Sequence, residues 1–278
     1  MKKGRACCSW LLASDATHLW DQLANRMQTH FEGADGLGRF LRGVSASLGQ
    51  EAHLDGERVE HGPGGWVYSR TATFSAAGSV VLEWQIDDEG RVSAMHLLPA
   101  AAAGVHPRTE LRLPFEGEWS VTAGGLVLPG NAHFRYPEDV FGVDLEPVDR
   151  ACLGRPILAP AGGVVVSAVV DLADNAPGRR NPARWEGNHV VLEHEGGERS
   201  VLAHLQSGSV AVRPGERVAA GAPLGRCGSS GGARSPHLHY HLEDAGHRGI
   251  PAEFTGYLAD GAPVERAALR YRQTVRAR

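Results

Sequence analysis

The residues of this sequence best suited to chemistry lie in the segment PHLHYHL at 236–242, where three histidines alternate with apolar residues. Because side chains alternate between the two faces of a β-strand, we expect His237, His239 and His241 to share one face while the apolar residues face a core. Imidazole is a common metal ligand and also transfers protons near neutral pH. Taken alone, the segment indicates either the platform of a metal-dependent hydrolase or a polar strand face with solvated histidines.

Other motifs across residues 115–258 favour the first alternative. They are FGVDL at 141–145, PILAPAGGVV at 156–165, GNHVVLEH at 187–194, AHL at 203–205, VRPGERVAAG at 212–221, GRCGSSG at 225–231 and PHLH at 236–239. In this order the motifs resemble those of the lysostaphin-like zinc metallopeptidases, also called LytM-type peptidoglycan endopeptidases. The resemblance implies an antiparallel β-sheet with the duplicated hybrid motif and one Zn²⁺ ion per chain. It also implies hydrolysis of peptide bonds in the stem peptides or cross-bridges of peptidoglycan.

The resemblance assigns roles to four residues. Asp144 and His239 take the positions of the carboxylate ligand and the distal histidine ligand of the catalytic zinc. His204 and His237 take the positions of the histidines that handle the proton of the attacking water and stabilise charge. Zinc with three protein ligands keeps an open position for water, so this set is suited to hydrolysis at neutral pH.

The third zinc ligand departs from the family pattern. Most relatives have a histidine four residues before the aspartate, where this chain has Val140, which cannot bind metal. An Asn-x-His motif eleven residues before the aspartate resembles the pattern of one subgroup, and here it ends at His133. We therefore predict that His133 is the third ligand and not a solvated loop residue, with a turn at 136–139 bringing it beside Asp144.

Val140 also keeps a different function open. Some members of the family have lost ligands and act as regulators of other cell-wall hydrolases. Retention of Asp144 together with the site histidines argues against this, because a decayed site has no physical reason to keep both ligands and proton carriers. A carbohydrate-binding β-domain without metal is a third interpretation, and it leaves the histidines unexplained.

Three further residues are candidates for the border of the substrate groove. Trp185 lies in a long polar loop, where it would either contact a peptide or glycan or pack within the loop. Asn188 follows a glycine turn and is expected to fix a loop, and His241 is expected either at the rim of the histidine strand or behind the metal ligands. The four cysteines are too few and too scattered to predict a disulfide framework, and Cys227 is expected to be a small buried residue.

The elements that must position these residues divide the chain in two. The alanine-rich, proline-bracketed stretch 99–108 is predicted to be a linker. Short β-type runs between glycine turns predict a mainly β peptidase domain at 109–278. Residues 1–98 are predicted to form a small α+β domain, with helices at 15–31 and 37–48 followed by an antiparallel meander. This pattern resembles a cystatin-like or nuclear-transport-factor-like domain and implies interaction with a protein partner.

The composition of the chain excludes some classes of binding partner and bears on the cellular location. The net charge of −4, without a long Lys/Arg run, gives no electrostatic basis for binding nucleic acid or an anionic membrane. No apolar stretch is long enough to span a membrane. The basic N-terminus precedes only a short, interrupted apolar run, which we interpret as part of a helix and not as a convincing signal peptide. The family resemblance nevertheless implies a periplasmic or extracellular protein.

Overall fold

The computed structural model describes residues 1–28, 31, 33–62, 65–100, 105–124, 133 and 138–278. These residues form two compact units, one before residue 105 and one after it. The predicted fold class is confirmed, because the first unit combines helices with a small sheet and the second is mostly antiparallel β-sheet. None of the described helices is long and apolar enough to cross a membrane.

The first unit contains a four-stranded antiparallel sheet in the order β1-β2-β3-β4. Its elements are α1 (Lys2–Leu12), α2 (Ala16–Trp20), α3 (Asn25–Gln28), α4 (Gly33–Leu48), β1 (Glu51–Gly62), β2 (Gly65–Phe74), β3 (Gly78–Ile86) and β4 (Val92–Pro99). Helix α4 ends before Gly49, whose φ of 76° is a left-handed conformation that glycine adopts without strain. The predicted end of the second helix is therefore correct. Strand β1 was not predicted, because its largely polar sequence lacks a clear alternation.

The single helix predicted at 15–31 is broken in the structure. Asp15 caps α2 by accepting a hydrogen bond from the backbone of His18, and the helix ends at Trp20. The backbone of residues 22–24 then bonds to β4: Val92 N donates to Gln22 O and Ala24 N donates to Val92 O. These bonds to β4 replace the helical hydrogen bonds expected at residues 22–24, so pairing with the strand overrides the helical propensity of this segment.

The second unit has one large sheet in the order β11-β8-β9-β10-β13-β6-β5-β17-β15-β16, with β14 paired to β13 and a separate β7-β12 pair. The strands are β5 (Glu118–Gly124), β6 (Val143–Pro147), β7 (Pro156–Leu158), β8 (Gly163–Val169), β9 (Asn188–Glu193), β10 (Arg199–Leu205), β11 (Arg217–Val218), β12 (Pro223–Arg226), β13 (Leu238–Glu243), β14 (Gly249–Ile250), β15 (Glu253–Ala259), β16 (Ala262–Ala268) and β17 (Thr274–Ala277). Leu238, Tyr240 and Leu242 are fully buried in the core of this unit, as the alternation in the sequence predicts.

Two cysteines of the second unit form a disulfide that the sequence interpretation did not foresee. Cys152 and Cys227 are 75 residues apart in sequence, and their Cα atoms are 5.7 Å apart. Cys227 is therefore buried as predicted, but it is cross-linked and not free. Cys7 and Cys8 of the first unit are free and buried.

Candidate metal centre

The pairing of β6 with β13 brings the two main ligand candidates together. Asp144 lies directly opposite His239 in the antiparallel register, so the two side chains emerge side by side on one face of the sheet. His239 Nδ1 is 3.0 Å from Asp144 Oδ1. The sheet itself thus fixes the distance between a carboxylate and an imidazole that are 95 residues apart in sequence.

His133 completes a group of three potential ligands. Its Nε2 lies 3.1 Å from Asp144 Oδ1, and its ring centroid lies 4.7 Å from that of His239. Ligand atoms of the three residues all fall within 4.8 Å of one another. A tetrahedral zinc with bonds of about 2.0–2.2 Å holds its ligand atoms roughly 3.3 Å apart, so these three side chains fit such an ion with little movement. The predicted turn at 136–139 lies partly outside the described residues.

His204 reaches the same face through a β-bulge in β10. Strand alternation would place it on the core face with Leu202, since Ala203 pairs with His239 on the site face. One extra residue between the pairs formed by Leu202 and Leu205 breaks the register with β9, and His204 has a φ of 61°. The bulge turns His204 to the site face and returns Leu205 to the core.

Backbone carbonyls define the protonation of the two proposed proton carriers. His204 Nδ1 is 3.0 Å from Ser230 O, and His237 Nδ1 is 2.8 Å from Ser235 O. A carbonyl oxygen only accepts hydrogen bonds, so each Nδ1 carries a proton and each neutral ring has an unprotonated Nε2. The two rings lie close together, with centroids 4.8 Å apart. Burial, and then the charges of His237 and His239, hold the pKa of His204 well below the usual value of 6.5. His204 is therefore neutral at physiological pH, with a basic Nε2.

The electrostatics of the ligand group favour a cation. Burial disfavours the charged form of Asp144, but the imidazoles of His237 and His133, with hydrogen bonds from His133 and His239, hold its pKa well below 3.8. Burial also lowers the pKa of His239, yet the carboxylates of Asp139 and Asp144 raise it to about 10. Without metal, a proton on His239 offsets part of the charge of the two carboxylates, and a divalent ion at the same place would offset more of it.

Comparison with known proteins identifies the family to which part of the second unit belongs. Residues 141–251 match the family model of Peptidase family M23. The second unit contains a peptidase family M23 domain. The lysostaphin-like family predicted from the motifs is therefore confirmed.

Two curated relatives match the M23 domain. One is the peptidoglycan DD-endopeptidase ShyA of Vibrio cholerae, 31% identical over 90 residues, which are 32% of this chain and 18% of that protein. The other is the murein hydrolase activator EnvC of Escherichia coli, 33% identical over 103 residues, which are 36% of this chain and 23% of that protein. The chain therefore spans less than a quarter of the length of either relative.

An open cleft of about 310 Å³ borders the ligand group of the M23 domain. Asp144, His204 and His237 line it together with Trp185, which is half-buried. The guanidinium carbon of Arg180 lies 5.8 Å from the centre of the Trp185 ring. The structure thus brings two of the three proposed ligands, His133 and Asp144, to one cleft with the proton carriers and Trp185. The cleft is large enough for part of a peptide.

The predicted groove positions of Asn188 and His241 need correction. Asn188 is fully buried, and its side chain is hydrogen-bonded to the backbone of Leu172 and Leu205, so it fixes a loop and is not available to substrate. His241 is buried, and its Nδ1 is 2.9 Å from His239 Nε2. It therefore lies behind a proposed ligand, which is one of its two expected positions, and not at the rim. Its other ring nitrogen lies 3.2 Å from Glu243 Oε1.

Asp139 is a site residue that the sequence interpretation placed only within a turn. It is buried, and its Oδ1 lies 3.1 Å from His239 Nε2. The signal was present in the sequence, because a carboxylate directly precedes Val140, the position at which relatives carry a ligand.

Proposed function

We propose that the M23 domain is a zinc-dependent endopeptidase that hydrolyses peptide bonds in the stem peptides or cross-bridges of peptidoglycan. The observation that carries this proposal is the group His133, Asp144 and His239, with mutual ligand distances that suit zinc, at the edge of an open cleft. The presence of His204 and His237 at the same cleft supports hydrolysis over simple metal storage. The match to a peptidoglycan DD-endopeptidase supports the choice of substrate.

The proposed mechanism assigns each side chain one task. Zinc, when bound by His133, Asp144 and His239, would supply Lewis-acid polarisation and lower the pKa of water. His204 Nε2 accepts the proton of the attacking water, because the contact of Nδ1 with Ser230 O leaves Nε2 as the basic atom. Once protonated, a ring of this kind donates a hydrogen bond to the developing oxyanion or returns the proton to the leaving amine.

His237 is the second proton carrier in this proposal. Its Nε2 lies 3.6 Å from Asp144 Oδ1, so the ring flanks the ligand group without belonging to it. Two imidazoles at one cleft allow one ring to take a proton while the other stabilises negative charge. We assign the base to His204 because its pKa is lowered, which keeps it neutral.

We infer a periplasmic or extracellular location. The disulfide between Cys152 and Cys227 supports this, because disulfides persist in oxidising compartments. The relatives named for peptidoglycan and murein support the same location. A protein partner for the first unit remains a prediction.

A regulatory function without catalysis is the second candidate. The match to a protein named murein hydrolase activator favours it, as does Val140 at the usual ligand position. The two functions differ in whether the chain alone releases material from the cell wall.

Incubation of the whole chain with purified sacculi tests the proposal. We expect zinc-loaded protein to release fragments with newly formed amino groups, and we expect His204→Ala and chelator-treated protein to release none. His18→Ala, which changes an exposed histidine of the first unit, is the matched control and should retain activity. Release only after a second hydrolase is added would favour the activator function, and release by His204→Ala at the wild-type rate would refute the role of His204.

A further inference from the structure

The buried carboxylate of Asp139 meets the second ring nitrogen of the ligand candidate His239. Asp139 Oδ1 is 3.1 Å from His239 Nε2 and 3.5 Å from His241 Nδ1, and the Asp139 side chain is only 7% exposed. Among the described residues, no donor meets hydrogen-bond geometry at this oxygen, so its polar contacts are the ion-pair distances to the two imidazoles. The two imidazoles therefore provide the polar contacts that offset the cost of burying a charged oxygen.

A tight turn holds Asp139 in this place. Gly142 N donates a hydrogen bond to Asp139 O at 2.7 Å, which closes the turn at 139–142. A β-carbon on Gly142 would lie 2.2 Å from Asp139 Oδ1 and 2.9 Å from His239 Cε1. Only glycine therefore allows the carboxylate to pack against this edge of the imidazole. The same turn carries Val140, at the position where relatives have a metal ligand. In this chain the turn supplies instead the carboxylate of Asp139, which lies behind the proposed ligand His239.

We propose that Asp139 is a positioning residue that orients His239 for the metal and fixes its tautomer. The inference rests on the proposed function, because it takes His239 Nδ1, the atom beside Asp144, as the one that binds zinc. With zinc on Nδ1, the ring proton lies on Nε2, which is hydrogen-bonded to His241 Nδ1 and lies at ion-pair distance from Asp139 Oδ1. A carboxylate in this position increases the basicity of a histidine ligand and restricts its rotation.

A second metal ion is the competing explanation for the same group. Ligand atoms of Asp139, His239 and His241 also lie within 4.8 Å of one another. Two ions would require His239 to bind one through each nitrogen, so the ring would lose both of its protons. One ion, with the Asp139 carboxylate beside the protonated Nε2, needs no such deprotonation. His241 already has Glu243 as a hydrogen-bond partner.

The variant Asp139→Asn keeps the size of the side chain and removes its charge. Wild type and variant, each as the whole chain, are compared by zinc competition with a chromophoric chelator and by the visible spectrum of the cobalt(II)-loaded protein. We expect the zinc Kd to rise about 10- to 100-fold in the variant, with an altered cobalt spectrum and one metal per chain in both proteins. Asp139→Ser, which is smaller but polar, is a second variant with the same expected result.

The matched control is Glu198→Gln, which removes a buried carboxylate elsewhere in the same unit. It should leave both the zinc Kd and the cobalt spectrum as in the wild type. Unchanged values in both Asp139 variants, with a wild type that binds zinc, would overturn the role of Asp139 and leave the proposed function intact. Two cobalt ions per wild-type chain, and one in Asp139→Asn, would overturn it in favour of direct ligation. A wild type without metal affinity would overturn both proposals.

Discussion

Removal of the disulfide between Cys152 and Cys227 should destabilise the M23 domain without dismantling its metal centre. The bond closes a loop of 75 residues, and the chain-entropy relation gives about 4.5 kcal/mol for a loop of this length. The folded geometry has further support, because Cys227 N donates to Arg155 O and Gly154 N donates to Cys227 O, each at 2.8 Å. Removal of the disulfide therefore acts mainly by increasing the conformational entropy of the unfolded state.

Urea unfolding of the whole chain measures this destabilisation in the double variant Cys152→Ala, Cys227→Ala. With an m-value of about 2 kcal/mol per M, the transition of the M23 domain should move down by about 2 M urea. Reductant should lower the wild-type transition to the level of the variant and leave the variant unchanged. The zinc Kd at 25 °C should stay within about twofold of the wild type.

Thiol titration gives an independent check of the same prediction. Unfolded, unreduced wild type should expose two reactive thiols, those of Cys7 and Cys8. Four reactive thiols, or a transition in the double variant at the wild-type urea concentration, would refute the reasoning. A large loss of zinc affinity in the variant would show that the disulfide also shapes the folded site.

Three further perturbations test particular contacts. Gly142→Ala should weaken zinc binding at least about tenfold in chelator competition, because its β-carbon would clash with Asp139 and His239; wild-type affinity would contradict the packing. The low pKa of His204 predicts that kcat/KM on sacculi loses this base only as the pH falls well below 6.5, and a loss already at neutral pH would contradict it. Burial raises the pKa of Glu198, but hydrogen bonds from two backbone N–H groups lower it overall. Glu198 therefore stabilises the fold at pH values above its unfolded pKa, and this stabilisation is lost as the pH falls through the folded pKa. Glu198→Gln should therefore reduce the free energy of unfolding by about 1–3 kcal/mol at neutral pH and by less in acid, whereas an equal loss at both would refute the assignment.

The sequence was most informative where local alternation and motif spacing act together. The period-two pattern of 236–242 predicted which side chains of β13 face the core and which face the site. Motif order predicted Asp144 and His239 as partners, and the register of β6 with β13 places them opposite each other. The alternation depends on short-range geometry, which one sequence reveals, whereas the partnership of Asp144 and His239 was implied by the family resemblance.

Other features depend on contacts that no local pattern encodes. Alternation alone would send His204 to the core, and only the bulge in β10 reverses this. The pairing of Cys152 with Cys227 joins residues whose spacing carries no signal. The burial of Asn188 follows from its amide bonding to two other strand and loop segments, which a glycine turn in the sequence does not reveal.

The identity of the third ligand is the central claim, and the metal content of the whole chain tests it most directly. Wild type and His133→Ala are each loaded with zinc, dialysed against a competing chelator and assayed for bound metal. The geometry of His133, Asp144 and His239 predicts about one zinc per wild-type chain and a large loss in the variant. Equal zinc in both proteins would show that His133 is not a ligand, and a wild type without zinc would contradict the enzyme proposal itself.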